Sequence, residues 1–157
     1  ILFLIVMFCG CSSKEKKAAV VEYIILGTYC GECMEHCVTM YRIDSTCIQI
    51  DTSNNFFSSL FGFTENDSYA FTGYSYNAGI VPKDFFDKMK AELPDDFIEN
   101  TSKTYGSPDT HDQCGTYIEL KSGGIIRKFY IDTDEKEVPD EINEYVTFLY
   151  ENLEKTK

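Results

Sequence analysis

The sequence predicts an α+β domain in which two amphipathic helices pack against a mainly antiparallel β-sheet built from hairpins. Three observations predict this class. Short β-prone runs come in pairs, two segments have helical spacing of apolar residues, and strands do not alternate regularly with helices. The chain has 157 residues, of which 43% are hydrophobic, which is enough for one core. We therefore expect a single domain from residue 20 to residue 157.

The first part of this domain carries the predicted strands. Residues 20 to 26, "VVEYIIL", are rich in β-branched side chains and predict a first strand. The runs "CVTMYRID" and "CIQID", separated by "ST", predict a hairpin with one buried face. A further strand is expected within residues 69 to 76.

Apolar spacing predicts the two helices, at about 82–93 and 139–155. The first begins with Pro82 in its first turn, ends before Pro94, and has an apolar stripe of Phe85, Phe86, Met89 and Leu93. In the second, the apolar residues recur at i, i+4, i+7 and i+11, at Ile142, Val146, Leu149 and Leu153. Each helix therefore has one face to bury against the sheet.

A second hairpin is predicted between these helices. "TYIELKS" and "IIRKFYID" flank Gly123 and Gly124, and a two-glycine link favours the primed hairpin turns because glycine adopts positive φ readily. Residues from about 100 to 115, which precede this hairpin, are expected to form a loop.

The N-terminal residues predict a lipid anchor. The apolar run "ILFLIVMF" is too short to span a bilayer as a helix, and it is typical of a signal-peptide core whose basic segment would precede Ile1. The following Gly10-Cys11 resembles a bacterial lipobox, although Phe8 and Cys9 stand where that motif usually has Leu and a small residue. The resemblance implies cleavage after Gly10 and attachment of diacylglycerol to Cys11, whose new amine receives a fatty acyl chain such as palmitate. Residues 1–10 are then part of the signal peptide, and residues 11–19 form the lipidated cysteine and tether.

The charge of the chain limits its partners. A formal net charge of −12 excludes nucleic acid as an expected partner, because phosphate binding requires a surplus of Lys and Arg. The expected partners are the membrane, through the lipid, and an envelope protein or ligand of unknown identity.

The stretch "YCGECMEHC" has three interpretations. With Cys9 removed and Cys11 lipidated, five cysteines remain, at positions 30, 33, 37, 47 and 114, and in an oxidising compartment such cysteines form structural disulfides. A CxxC directly after a strand is also the signature of a thioredoxin-like dithiol, which would use Cys30 and Cys33. The run that follows is β-prone and leaves little room for the helix which that fold requires.

Metal binding is the third interpretation. Cys30, Cys33, Cys37 and Cys114 are candidate thiolate ligands for zinc or copper, and His36 and His111 are secondary candidates. No other cofactor and no catalytic residue is predicted. The sequence therefore favours a non-enzymatic binding or structural module, with a metal-handling lipoprotein and a thiol-disulfide oxidoreductase that uses Cys30 and Cys33 as the alternatives.

One cysteine of "YCGECMEHC" should pair at a distance. Neighbouring cysteines in an extended segment point apart, and a disulfide requires Cα atoms about 4.4 to 6.8 Å apart. Cys114 immediately precedes a predicted strand, just as Cys30 follows one. We therefore predict a disulfide between Cys114 and Cys30, Cys33 or Cys37.

Two long motifs, "GTYCGECMEHCVTMYRI" and "GSPDTHDQCGTYIELKSGGIIRKFYID", resemble a group of small uncharacterised bacterial lipoproteins with an N-terminal CxxC loop and a PDxxDQxG hairpin. The resemblance covers most of residues 22 to 155, and it implies a lipid-anchored envelope protein of the outer membrane with no established activity. That group often has a further CxxC where this chain has Ser107 and Thr110. Residues 22 to 51 are also similar to copper-response and envelope-stress lipoproteins, which implies a sensing role as an alternative.

Overall fold

One seven-stranded sheet forms the centre of the molecule. The structure is a computed structural model that describes residues 20–30, 38–51, 74–76, 84–108 and 114–156. Within these ranges the strands are β1 (Val21–Cys30), β2 (Val38–Ile43), β3 (Ile48–Asp51), β4 (Tyr74–Tyr76), β5 (Ser102–Tyr105), β6 (Cys114–Ser122) and β7 (Ile125–Asp132). Their order in the sheet is β4-β3-β2-β1-β6-β7-β5, and only the β5–β7 pair is parallel. The predicted α+β class with a mainly antiparallel sheet is confirmed.

In the described part of the chain, three α-helices accompany the sheet: α1 (Phe85–Ala91), α2 (Asp95–Glu99) and α3 (Asp140–Glu154). The C-terminal helix agrees with its prediction. The helix predicted at 82–93 is shorter, and Pro94 does more than end it, because this proline is also the N-cap residue of α2 with φ of −58°. Proline favours a helix start by fixing φ near −65°. Pro82 lies outside the described residues.

Strand alternation divides the sheet into two faces. Ile24 belongs to the large core that includes the helices, whereas Ile25 belongs to a smaller cluster on the opposite face. The β1–β6 register shifts between Val21 and Tyr23, so Glu22 forms a β-bulge. Because a bulge adds one residue to the strand, Val21 joins the helix-side core while Tyr23 packs on the other face.

Aromatic side chains connect the helices to the sheet and to one another. Phe97 of α2 stacks on Phe129 of β7, with 4.1 Å between the ring centroids. The Tyr145 hydroxyl of α3 donates to the Met89 carbonyl of α1 at 3.0 Å. The three helices and one face of the sheet therefore share one core.

Both predicted hairpins are present. In the β6–β7 turn, Gly123 and Gly124 have φ of +59° and +78°, as a primed turn requires. Strands β2 and β3 pair around the turn at residues 44–47. Of the strand expected within residues 69 to 76, the structure describes β4, and residues 69–73 lie outside the described residues.

Strand β5 corrects one prediction. It lies within residues 100–115, which were expected to form a loop, and it pairs in parallel with β7. Its residues Ser102, Lys103 and Thr104 are exposed, so the segment lacks the alternation that indicates a half-buried strand. The strand forms because α2 returns the chain beside the outer edge of β7, where the Lys128 amide donates to the Thr101 carbonyl at 2.9 Å.

Candidate functional site at the disulfide end of the sheet

A disulfide joins the two central strands at one end of the sheet. Cys30 is the last residue of β1, Cys114 is the first residue of β6, and the two lie directly opposite each other in the strand register. Their sulfur atoms are bonded, with Cα atoms 4.1 Å apart and a sequence separation of 84. The structure thus joins Cys114 to the first of the three cysteines that the sequence offered as partners.

The other candidate residues are only partly covered by the structure. Cys11, Cys33, His36, Cys37 and His111 lie outside the described residues. Cys47 is described as a half-buried free cysteine. It lies in the β2–β3 turn, at the opposite end of the sheet from the disulfide.

A buried carboxylate organises the backbone beside the disulfide. Asp132, at the end of β7, is 7% exposed and lies directly opposite Gly115. Its two oxygens accept from the backbone N–H groups of Ser107 at 2.7 Å and Asp134 at 2.9 Å. Before Ser107, the chain turns through Gly106 with φ of +69°. Asp132 therefore holds Ser107 at the end of the sheet that carries Cys114.

While they are bonded to each other, Cys30 and Cys114 act neither as metal ligands nor as nucleophiles. Disulfide sulfurs carry no thiolate, and the thiolate is the form that ligates a metal or acts as a nucleophile. Among the described residues, no three Cys, His, Asp or Glu side chains are grouped as metal ligands would be. In the state described, Cys30 and Cys114 act as a covalent connection between two strands.

A polar network on the second face of the sheet, the face opposite the helices, was not predicted from the sequence. Glu119 of β6 is 3% exposed, and its two oxygens accept from the hydroxyls of Tyr23 at 2.9 Å and Tyr117 at 2.8 Å. Burial, together with the negative charge of Glu119, raises the pKa of Tyr117 above its ordinary range. Arg42 lies over the Tyr23 ring, 4.8 Å from its centroid, and Lys128 lies opposite Glu119 on β7.

The signal for this network was the alternation in "TYIELKS". Tyr117 and Glu119 alternate with Ile118 and Leu120, so a period of two assigns them to the face opposite the helices. Alternation does not indicate that this second face is buried as well, so the sequence gives no sign that Glu119 is buried.

A comparison with known protein families found no match to this chain, and a comparison with curated proteins found none either. Within the ranges that the structure describes, no helix has the length and apolar character needed to cross a membrane.

Proposed function

We propose that this chain is a lipid-anchored protein of the bacterial cell envelope, and that its domain from residue 20 onward is a non-enzymatic binding or structural module. The observation that carries the proposal is the Cys30–Cys114 disulfide. Disulfides form and persist in oxidising compartments outside the cytoplasm and are rare inside it. An apolar run that ends in Gly10-Cys11, followed by a short polar tether, supplies a matching acylation site.

The position of Cys30 supports a structural use of its sulfur. A thioredoxin-like dithiol requires the first cysteine of CxxC at a helix N-terminus, where the thiolate is stabilised. Cys30 is instead the last residue of a strand and is bonded to a cysteine of the neighbouring strand. This arrangement favours a staple over a catalytic pair.

Acylation at Cys11 would be sufficient to hold the protein on a membrane. Each buried CH₂ of an acyl chain contributes about 0.8 kcal/mol, and stable anchoring takes more than one chain. A diacylglycerol thioether with a further chain on the amine meets this condition. The outer membrane is the proposed location, with the domain on its periplasmic or surface face and an envelope protein or ligand as its partner.

The anchor is tested in the full-length protein expressed in a bacterium. Cys11→Ala should lose incorporation of labelled palmitate and release the protein from sedimented membranes. Cys47→Ala replaces a cysteine that is free in the described structure and should retain both properties. Palmitate labelling that persists in Cys11→Ala would refute the lipid anchor.

A further inference from the structure

Exposed apolar side chains gather at the end of the sheet opposite the disulfide. There Val20, just before β1, is 75% exposed, and Ile125 and Ile126, at the start of β7, are 48% and 42% exposed. Among the described residues, no other large hydrophobic side chain is exposed. The Gly123 N–H donates to the Val20 carbonyl at 3.2 Å, so the β6–β7 turn lies beside the start of β1. Isolated exposed apolar side chains are ordinary, but their restriction to one end of the sheet indicates an interaction surface. We call Val20 and residues 123–126 the apolar tip.

The apolar tip is narrow and projects from the sheet. Ile125 and Ile126 are successive residues of β7, and successive strand residues point to opposite faces of a sheet. The turn before them consists of Gly123 and Gly124, which have no side chains. A β-carbon added at either glycine would meet no described atom within 4 Å. The tip therefore has the form of a thin edge with an isoleucine on each side.

The charges beside the apolar tip are mainly positive, although the whole chain has a net charge of −12. Residues 120–128 include three basic side chains and no acidic one. Lys121 is paired with Glu22 at 2.8 Å. Arg127 has no ion-pair partner within the described part of the chain, and its guanidinium donates to the Ser122 carbonyl at 3.2 Å. This end of the hairpin therefore suits a surface that carries negative charge.

The proposed lipid anchor brings the apolar tip to a bilayer. Val20 follows Cys11 by nine positions in the sequence, and nine residues extend over at most about 32 Å. Strand β1 begins next to Val20 and continues for ten residues, a length of roughly 33 Å. Of the two ends of the sheet, the one with the apolar tip is therefore the end that the tether joins to the acyl chains.

We propose that the apolar tip docks on the bilayer to which the chain is anchored. Val20 and the two isoleucines enter the boundary between lipid headgroups and acyl chains, where their apolar surface leaves water. Arg127 lies at the level of the lipid phosphates, which accept hydrogen bonds from a guanidinium. The inference rests on the proposed lipid anchor and adds a contact made by the domain itself.

The anchor also decides between a bilayer and a protein as the occupant of the tip. A tethered contact forms at a high effective concentration, whereas a separate partner loses translational and rotational freedom on binding. Two or three exposed apolar side chains are enough for the first case and few for the second. Docking by the tip orients the domain, so that the sheet stands on the membrane and the Cys30–Cys114 disulfide faces away from it.

The test uses tryptophan as a reporter of lipid contact, since the sequence contains none. Val20→Trp places the reporter in the apolar tip, and Thr39→Trp places it at an exposed position of β2 near the disulfide end. Each full-length acylated protein is reconstituted into vesicles of phosphatidylethanolamine and phosphatidylglycerol, with or without a nitroxide-labelled lipid that quenches tryptophan at short range. Val20→Trp should lose most of its fluorescence to the nitroxide, and Thr39→Trp should lose little.

The deciding comparison keeps the reporter constant, because tryptophan itself favours the membrane interface. Ile125→Thr/Ile126→Thr is added to Val20→Trp. Threonine keeps the β-branched shape that suits a strand but adds a hydroxyl that resists burial. Most of the lost fluorescence should return, and Ile126→Thr alone should have a smaller effect in the same direction. The urea midpoint should stay close to that of Val20→Trp, since both isoleucines are exposed.

Three results would overturn the proposal. One is Val20→Trp that is not quenched, and another is equal quenching with and without the isoleucines, which would show that the tether alone brings residue 20 to the lipid. The third is equal quenching at positions 20 and 39, which would show that the domain has no preferred orientation. Flotation of the same samples measures vesicle binding separately. A protein that floats without quenching retains its anchor, so docking fails while the anchor proposal stands, and a protein that does not float contradicts both.

Discussion

Tyr29 and Gly115 lie directly opposite each other on β1 and β6, one position inside the Cys30–Cys114 disulfide. The tyrosine ring covers the glycine, since a β-carbon added at Gly115 would lie 2.5 Å from Tyr29 Cζ. Tyr29 is 1% exposed, so the ring has little room to move. A glycine without a side chain thus provides the space in which an aromatic residue of the neighbouring strand packs.

Gly115→Ala should destabilise the domain by about 1–3 kcal/mol, because overpacking at a closely packed site displaces side chains or backbone. The measurement is the midpoint of urea unfolding. In a Tyr29→Leu background the same substitution should cost less, since the ring that causes the clash is absent. An unchanged midpoint for Gly115→Ala alone would contradict the packing described here.

Replacing Cys30 and Cys114 together by Ala should lower the free energy of unfolding by about 4.5 kcal/mol. The chain-entropy model gives this value for a closed loop of this length, in which the bonded cysteines are 84 positions apart. Cys47→Ala is the control, and it should cost much less because Cys47 forms no disulfide in the described structure. Peptide mapping of the unreduced protein checks the connectivity. Recovery of a Cys30–Cys33 disulfide instead would refute the pairing.

Glu119→Ala should destabilise the domain by about 2–4 kcal/mol. It removes the acceptor for two tyrosine hydroxyls, and a polar group left unsatisfied when buried costs about 1–3 kcal/mol. Glu22→Ala removes an exposed carboxylate whose partner Lys121 is 2.8 Å away at the surface, so it should cost much less than Glu119→Ala, because exposed ion pairs contribute little. Equal shifts of the urea midpoint in the two variants would show that the buried hydrogen bonds of Glu119 to Tyr23 and Tyr117 stabilise the fold no more than an exposed ion pair does.

Stability should decrease steeply above about pH 10, the ordinary pKa of tyrosine. Burial raises the pKa of Tyr117, helped by the charge of Glu119, and burial alone raises the pKa of Tyr145. These residues then remain protonated in the folded state while they ionise in the unfolded state. Their contribution is therefore complete below about pH 10 and is lost as the pH rises toward the folded pKa, by about 1.4 kcal/mol per pH unit for each tyrosine.

Urea unfolding between about pH 9 and pH 11 measures this dependence. Above about pH 10, Tyr145→Phe should reduce the slope of the unfolding free energy against pH by about 1.4 kcal/mol per pH unit, which is the contribution of one tyrosine. If both hydroxyls ionise in the folded protein near pH 10, as followed by tyrosinate absorbance, the expected slope will not appear.

The elements that the sequence predicted well are those with a strong local signal. Gly123 and Gly124 determine the β6–β7 turn through their backbone freedom, and the apolar residues of α3 repeat over about three turns, from Ile142 to Leu153. By contrast, α2 has five residues, which is too short for a helical period to be recognised. It forms because Phe97 is buried against Phe129, a contact 32 residues away in sequence that no local pattern reveals.

The candidate site was predictable to a similar degree. Cys30 and Cys114 each lie at the border between a loop and a recognisable strand, and this shared position predicted that Cys114 pairs with a cysteine of the first loop. That β1 and β6 are neighbours in the sheet was not predicted. Which of three cysteines pairs with Cys114 depends on the β1–β6 register, and that register includes the bulge at Glu22. The roles of Glu119 and Asp132 depend on burial, and the sequence does not show which surface of a sheet is covered.

The disulfide also determines how the molecule bears mechanical tension. When the two ends of the chain are pulled apart, the load passes from Cys30 to Cys114 through the sulfur atoms, and residues 31 to 113 are not stretched. Fully extended, that segment would measure roughly 280 Å. The greatest extension of the disulfide-bonded protein is therefore shorter by this length than that of the reduced chain. Strands β2 to β5 and helices α1 and α2 lie in the closed loop, so they are shielded from the pull as long as the bond is intact.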